Sequence, residues 1–82
     1  MEFIDYLKIR HTLTSGEKQL KDNSAEQYNK RLLNLKRLKI YNGEPELTEE
    51  MEKQIAVHYN DSVKAYSRTI KYYIEYMNYN GR

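Results

Sequence analysis

Residues 63–79 read VKAYSRTIKYYIEYMNY, and the spacing inside this stretch decides the fold. Val63, Tyr66, Ile70, Tyr73, Ile74 and Met77 recur every three or four residues, which draws one apolar stripe down a helix. Lys64, Arg68 and Lys71 lie off that stripe on a basic flank, and Tyr72, Tyr76 and Tyr79 form a separate aromatic row. Such a helix carries more surface chemistry than packing alone requires. The surplus points towards binding rather than catalysis.

Three further helices are expected before it. The first covers about 2–10, with Phe3, Ile4 and Leu7 as apolar contacts. Thr12 to Gly16 reads as a loop, in which Thr14 and Glu17 have capping-box spacing. Asp22-Asn23-Ser24 marks a fresh start, with Ser24 and Gln27 spaced as a second capping box. The second helix then covers about 24–41, with Tyr28, Leu32, Leu35 and Leu38 inward and Leu33 and Ile40 as a second apolar edge. An unbroken helix over about 16–41 also satisfies the periodicity. Gly43 suits a left-handed C-cap, and Pro45 blocks continuation. Thr48 is a good N-cap for a third helix over about 49–59, where Met51, Ile55 and Tyr59 face inward. Asn60-Asp61-Ser62 breaks the pattern and caps the fourth helix, about 62–78, which Asn80-Gly81 ends. No stretch alternates strictly enough to be a strand. The expected architecture is all-α, a compact bundle of four helices forming a single domain over 1–82.

A chain of 82 residues buries roughly 60% of its unfolded surface, so stability of about 5 kcal/mol is expected. There are nine Tyr, one Phe and no Trp, which predicts a thin core whose edges stay half-wet. The absence of Cys excludes disulfides and thiolate metal sites and suits a cytoplasmic protein. No apolar run is long enough for a membrane span, and the N-terminus lacks the pattern of a signal peptide.

The net charge of +2 hides a segregation. Residues 1–43 hold nine Lys or Arg against five Asp or Glu, residues 44–61 hold one against six, and residues 62–82 hold four against one. Two basic blocks thus flank an acidic one. Glu49, Glu50 and Glu52 lie in the first turn of the third helix, where the helix dipole favours anions. That position accounts for them better than cation binding does. His11 and His58 are far apart, neither in a catalytic motif, and no phosphate loop, nucleophile elbow or zinc spacing occurs. Neither an enzyme, a cofactor nor a small-molecule substrate is expected.

The basic faces are the stronger candidates. Lys30, Asn34, Arg37 and Tyr41 follow i, i+4, i+7, i+11 spacing, opposite Tyr28 and Leu35. Lys and Arg meet phosphates, and Asn and Arg also read base edges. The expected DNA contacts are Lys30, Asn34 and Arg37 on the second helix and Lys64, Arg68 and Lys71 on the fourth. Tyr72, Tyr76 and Tyr79 are either covered by an N-terminal element or open to a protein partner.

These residues resemble a family. Ser24, Tyr28, Leu32, Leu35, Leu38 and Tyr41, then Thr48 to Tyr59, then Tyr66, Ile70, Tyr73, Tyr76 and Gly81 are similar to the N-terminal core-binding, SAM-like domain of phage-type tyrosine recombinases (integrases). The resemblance implies a module that clamps one side of a DNA duplex, with Lys30, Arg37, Lys64, Arg68 and Lys71 as contacts. It also implies that a catalytic domain with Arg, Lys, His and a nucleophilic Tyr lies outside these residues. A catalytic domain or second protomer would contact the C-terminal helix, and none of the nine Tyr is a nucleophile. The expected function is non-catalytic binding of double-stranded DNA, within an integrase or as a free-standing relative from a phage or mobile element. The alternative is a small protein-interaction module, an inhibitor or adaptor, acting through the tyrosine row or the acidic third helix.

Overall fold

The computed structural model describes residues 2–13 and 18–80. Four helices form: α1 (Phe3–Leu13), α2 (Asp22–Arg37), α3 (Glu49–His58) and α4 (Val63–Asn80), with a 3-10 turn over Asn60–Ser62 leading into α4. No strand occurs among the described residues. The all-α four-helix bundle expected from the periodicity is therefore the fold.

α4 is the hub and packs against each of the other three helices, while α1 also packs on α2. One contiguous core results: Phe3 and Leu7 from α1, Ala25, Leu32 and Leu35 from α2, Met51 and Ile55 from α3, and Tyr66 and Ile70 from α4. The stripe of α4 faces this core, with Tyr66 and Ile70 buried and Val63, Tyr73, Ile74 and Met77 packed at its margin. Tyrosine rings pack edge-on around it, Phe3 against Tyr73 at 5.2 Å and Tyr41 against Tyr73 at 5.9 Å.

Several boundaries differ from those expected. α1 runs three residues beyond position 10, and the Thr12 hydroxyl donates to the Ile9 carbonyl at 2.7 Å. The Thr14–Glu17 capping box and Gly81 lie outside the described residues. α2 begins at Asp22, because the Ala25 amide already donates to the Lys21 carbonyl at 3.0 Å. Ser24 therefore sits inside the first turn, and Lys21 holds the cap position without a side-chain bond. Asp22 supplies an anion near the helix start instead.

The C-terminus of α2 is the larger correction. It stops at Arg37, and Lys39 adopts a left-handed φ of 59°. The Ile40 amide donates to the Leu35 carbonyl at 3.0 Å and the Lys39 amide to the Lys36 carbonyl at 3.1 Å. This is a Schellman closure on a lysine, with the usual apolar contact supplied by buried Ile40 and Leu35. Gly43, at φ 94°, turns the chain again rather than ending the helix. The reversal carries Tyr41 off the outer face and into the core, fully buried, its hydroxyl donating to the Glu44 carbonyl at 2.8 Å. Leu33, expected as a second packing edge, is 57% exposed.

α3 starts as expected. Thr48 accepts a hydrogen bond from the Met51 amide at 3.2 Å, and Glu49, Glu50 and Glu52 occupy the first turn. Asn60-Asp61-Ser62 forms the 3-10 turn rather than a simple cap.

Candidate nucleic-acid interface

The first half of α2 and the start of α4 do not close against each other. An open groove of about 660 Å³ separates them, walled by Ser24, Gln27, Tyr28 and Arg31 on one side and Lys64, Ala65 and Arg68 on the other. The turn before α4 closes one end, and its Asp61 is the carboxylate lining the groove. Arg31, Lys64 and Arg68 thus converge from helices more than thirty residues apart in sequence. Tyr28 lies beside two of them. The Arg31 guanidinium lies 5.2 Å from its ring centroid, and its hydroxyl faces Arg68 and favours the charged guanidinium.

The six residues expected to contact DNA divide. Lys64 and Arg68 line the groove, and Lys71 follows one turn later on the side of α4 nearer α3; all three are exposed. Lys30 is exposed on α2 but does not line the groove. Asn34 is half-buried, its amide donating to the Tyr66 hydroxyl at 3.2 Å and its oxygen accepting from Arg37 at 3.4 Å. Asn34 therefore ties α2 to α4 and steadies Arg37 at the surface. Among the described residues no ion pair links Lys64, Arg68 or Lys71 to the glutamates of 44–52. Arg31 is not among the residues expected from sequence, since those on α2 lie opposite the apolar stripe. The flank beside a stripe is what lines a groove, and Gln27 and Arg31 at i, i+4 spacing are the signal that marks it.

The tyrosine row is mostly occupied from within. Tyr72 packs edge-on against Tyr28 at 5.0 Å and lies 4.5 Å beneath the Arg10 guanidinium. Tyr76 meets Phe3 and Tyr6, each at 5.6 Å, and Tyr79 meets Tyr6 at 5.5 Å but stays 49% exposed. Beneath the row lies a polar clasp that sequence reasoning missed. Arg10, only 3% exposed, grips Glu75 with two hydrogen bonds of 3.0 Å, and the Tyr6 hydroxyl donates to the same carboxylate at 2.5 Å. Burial alone would raise the Glu75 carboxyl, but the hydrogen bonds from Arg10 and Tyr6 and the Arg10 charge outweigh it and hold it below the usual range. Burial, with the Glu75 hydrogen bond and charge, pushes the Tyr6 hydroxyl well above the usual tyrosine range.

Among the described residues no three His, Asp or Glu side chains group to hold a metal ion, and no helix is long and apolar enough to cross a membrane. No family model matches the chain, and neither a curated protein nor a solved structure is significantly similar to it.

Proposed function

We propose that this chain binds double-stranded DNA without catalysing a reaction on it. The observation that carries the reading is the convergence of Arg31, Lys64 and Arg68 on one open groove against a single carboxylate, Asp61. Arginine and lysine side chains are the groups that meet backbone phosphates. Lys71 extends the contact along α4, and Lys30 and Arg37 reach the flanks of the same duplex, with Asn34 positioning Arg37. The resemblance to the core-binding module of phage-type integrases supports the same reading. In that setting a catalytic domain or second protomer meets the C-terminal part of α4, where Tyr79 stays exposed.

The protein-interaction alternative is less well supported, because α1 and α2 already cover much of Tyr72 and Tyr76. An electrophoretic titration with a duplex at two salt concentrations tests the proposal. Neutralising three to five phosphates gives a slope of log affinity against log salt of about −2.7 to −4.5. Absence of binding at low salt would refute it.

A further inference from the structure

Asn42 and Asn80 are the two asparagines followed directly by glycine. The fold separates them. Asn80 lies in α4 with Asn78, while Asn23, Asn29 and Asn34 lie in α2 and Asn60 in the 3-10 turn. Helical dihedral angles aim the next amide along the axis, away from the side chain before it. Asn42 is the one asparagine outside every helix and that turn, exposed in the segment joining α2 to α3. Its neighbour removes the remaining obstacles. Gly43 has no Cβ to crowd a close approach, and its φ of 94° is a conformation open to glycine and rarely to other residues. Among the described residues the Gly43 amide donates no hydrogen bond. The Asn42 side chain makes none either, although its backbone amide donates to the Glu44 carboxylate at 2.6 Å. An unpaired amide thus stands next to an exposed carboxamide that nothing holds.

We propose that Asn42 is a site of spontaneous modification, converted by attack of the Gly43 amide into aspartate and isoaspartate. The Gly43 nitrogen bonds to the side-chain carbonyl carbon, Cγ, and its proton passes through solvent to Nδ2. The Cγ–Nδ2 bond breaks, Nδ2 leaves as ammonia, and a five-membered succinimide remains. Water then opens the ring. Addition at Cγ gives aspartate; addition at the main-chain carbonyl gives isoaspartate, in which the chain runs on through Cγ. The net exchange is water for ammonia, with no oxidant or reductant. Each product carries a carboxylate, charged at neutral pH, where the parent has a neutral amide. That charge appears beside Glu44, whose carboxylate holds the Asn42 amide and whose carbonyl accepts from the Tyr41 hydroxyl at 2.8 Å. Isoaspartate also adds one backbone atom within this short span. The modification therefore acts on the loop that fixes Tyr41 in the core.

The full chain, folded in mildly alkaline buffer, is incubated beside a sample unfolded in urea, and both are digested and mapped by mass spectrometry. The peptide carrying Asn42 should gain the mass of an NH2-to-OH exchange at similar rates in the two samples, faster at higher pH. It should resolve into two products, aspartate and isoaspartate. Asn29 and Asn34 should stay unchanged in the folded chain. Asn42→Gln should abolish the gain at this position, because glutamine would have to close a six-membered ring. It should melt like the parent, since the Asn42 side chain has no partner to lose. Converted chains, separated by ion exchange on their added negative charge, should melt below the parent. Conversion in urea but not in the folded chain would overturn the proposal, as would conversion of Asn29 or Asn34 as fast as that of Asn42. Aspartate without isoaspartate would mean direct hydrolysis and would overturn attack by Gly43.

Discussion

At the scale of single residues, the Arg10–Glu75 clasp is the interaction with most at stake. Arg10 is buried and its two bonds reach a carboxylate that is about one-third exposed. Removing one partner of a buried pair typically costs 3–5 kcal/mol. Water can solvate Glu75 in part, so Arg10→Ala should cost about 3 kcal/mol in urea denaturation, the low end of that range. A loss below about 1 kcal/mol would mean the pair behaves as a surface bridge. The clasp also sets an acid response. Glu75 has a folded value below its unfolded one, so its contribution is complete above the ordinary glutamate range, about pH 4.3, and is lost as pH falls through the folded value. Stability measured from pH 6 down to about 3 should therefore fall less steeply in Glu75→Gln than in the parent. Equal acid limbs would show that the carboxylate is not the group responsible. None of this was legible in sequence, because Arg10 and Glu75 lie 65 positions apart and each alone reads as an ordinary surface charge.

At the scale of helices, the ends are where local signals competed. Thr48 and Ser24 looked alike as caps, yet only Thr48 accepts a backbone bond. Thr48→Ala should cost about 1 kcal/mol, whereas Ser24→Ala should stay within about 0.5 kcal/mol of the parent. Similar losses in both, measured by thermal melts, would contradict the observed start of α2. Lys39 makes the opposite prediction. Its left-handed backbone costs a non-glycine residue roughly 1 kcal/mol, so Lys39→Gly should stabilise by up to that amount. A destabilised variant would imply that the lysine side chain contributes more than its strain. Gly43 drew the expected helix end too far along the chain because glycine is the usual left-handed residue. Burial of Ile40 and Tyr41 decided where the reversal falls.

For the molecule as a whole, the question is how the cations are distributed. Arg31, Lys64 and Arg68 share a groove only because α2 and α4 pack side by side. The triple change Arg31→Ala, Lys64→Ala, Arg68→Ala should make the salt dependence of duplex binding shallower by about 0.9 for each phosphate that is no longer neutralised. Lys30→Ala, away from the groove, should change that slope by no more than one phosphate's share. Should the triple variant bind like the parent while Lys30→Ala does not, the interface lies on the outer face of α2 instead.

The sequence alone determined the helical class, the number of helices and the inward stripe of α4. Those are short-range matters: a 3.6-residue period and a threonine cap act within a turn or two of themselves. It also marked Lys64, Arg68 and Lys71 as one flank, since residues along a single helix keep their relative angles wherever that helix docks. Only the tertiary structure decided that Tyr41 enters the core, that Asn34 holds α2 to α4, that Arg10 clasps Glu75 and that Arg31 joins Lys64 and Arg68. Each of these depends on which neighbour a side chain meets once helices distant along the chain pack together. That choice is made by burial of the shared core, a property of the whole assembly that no local stretch of sequence contains.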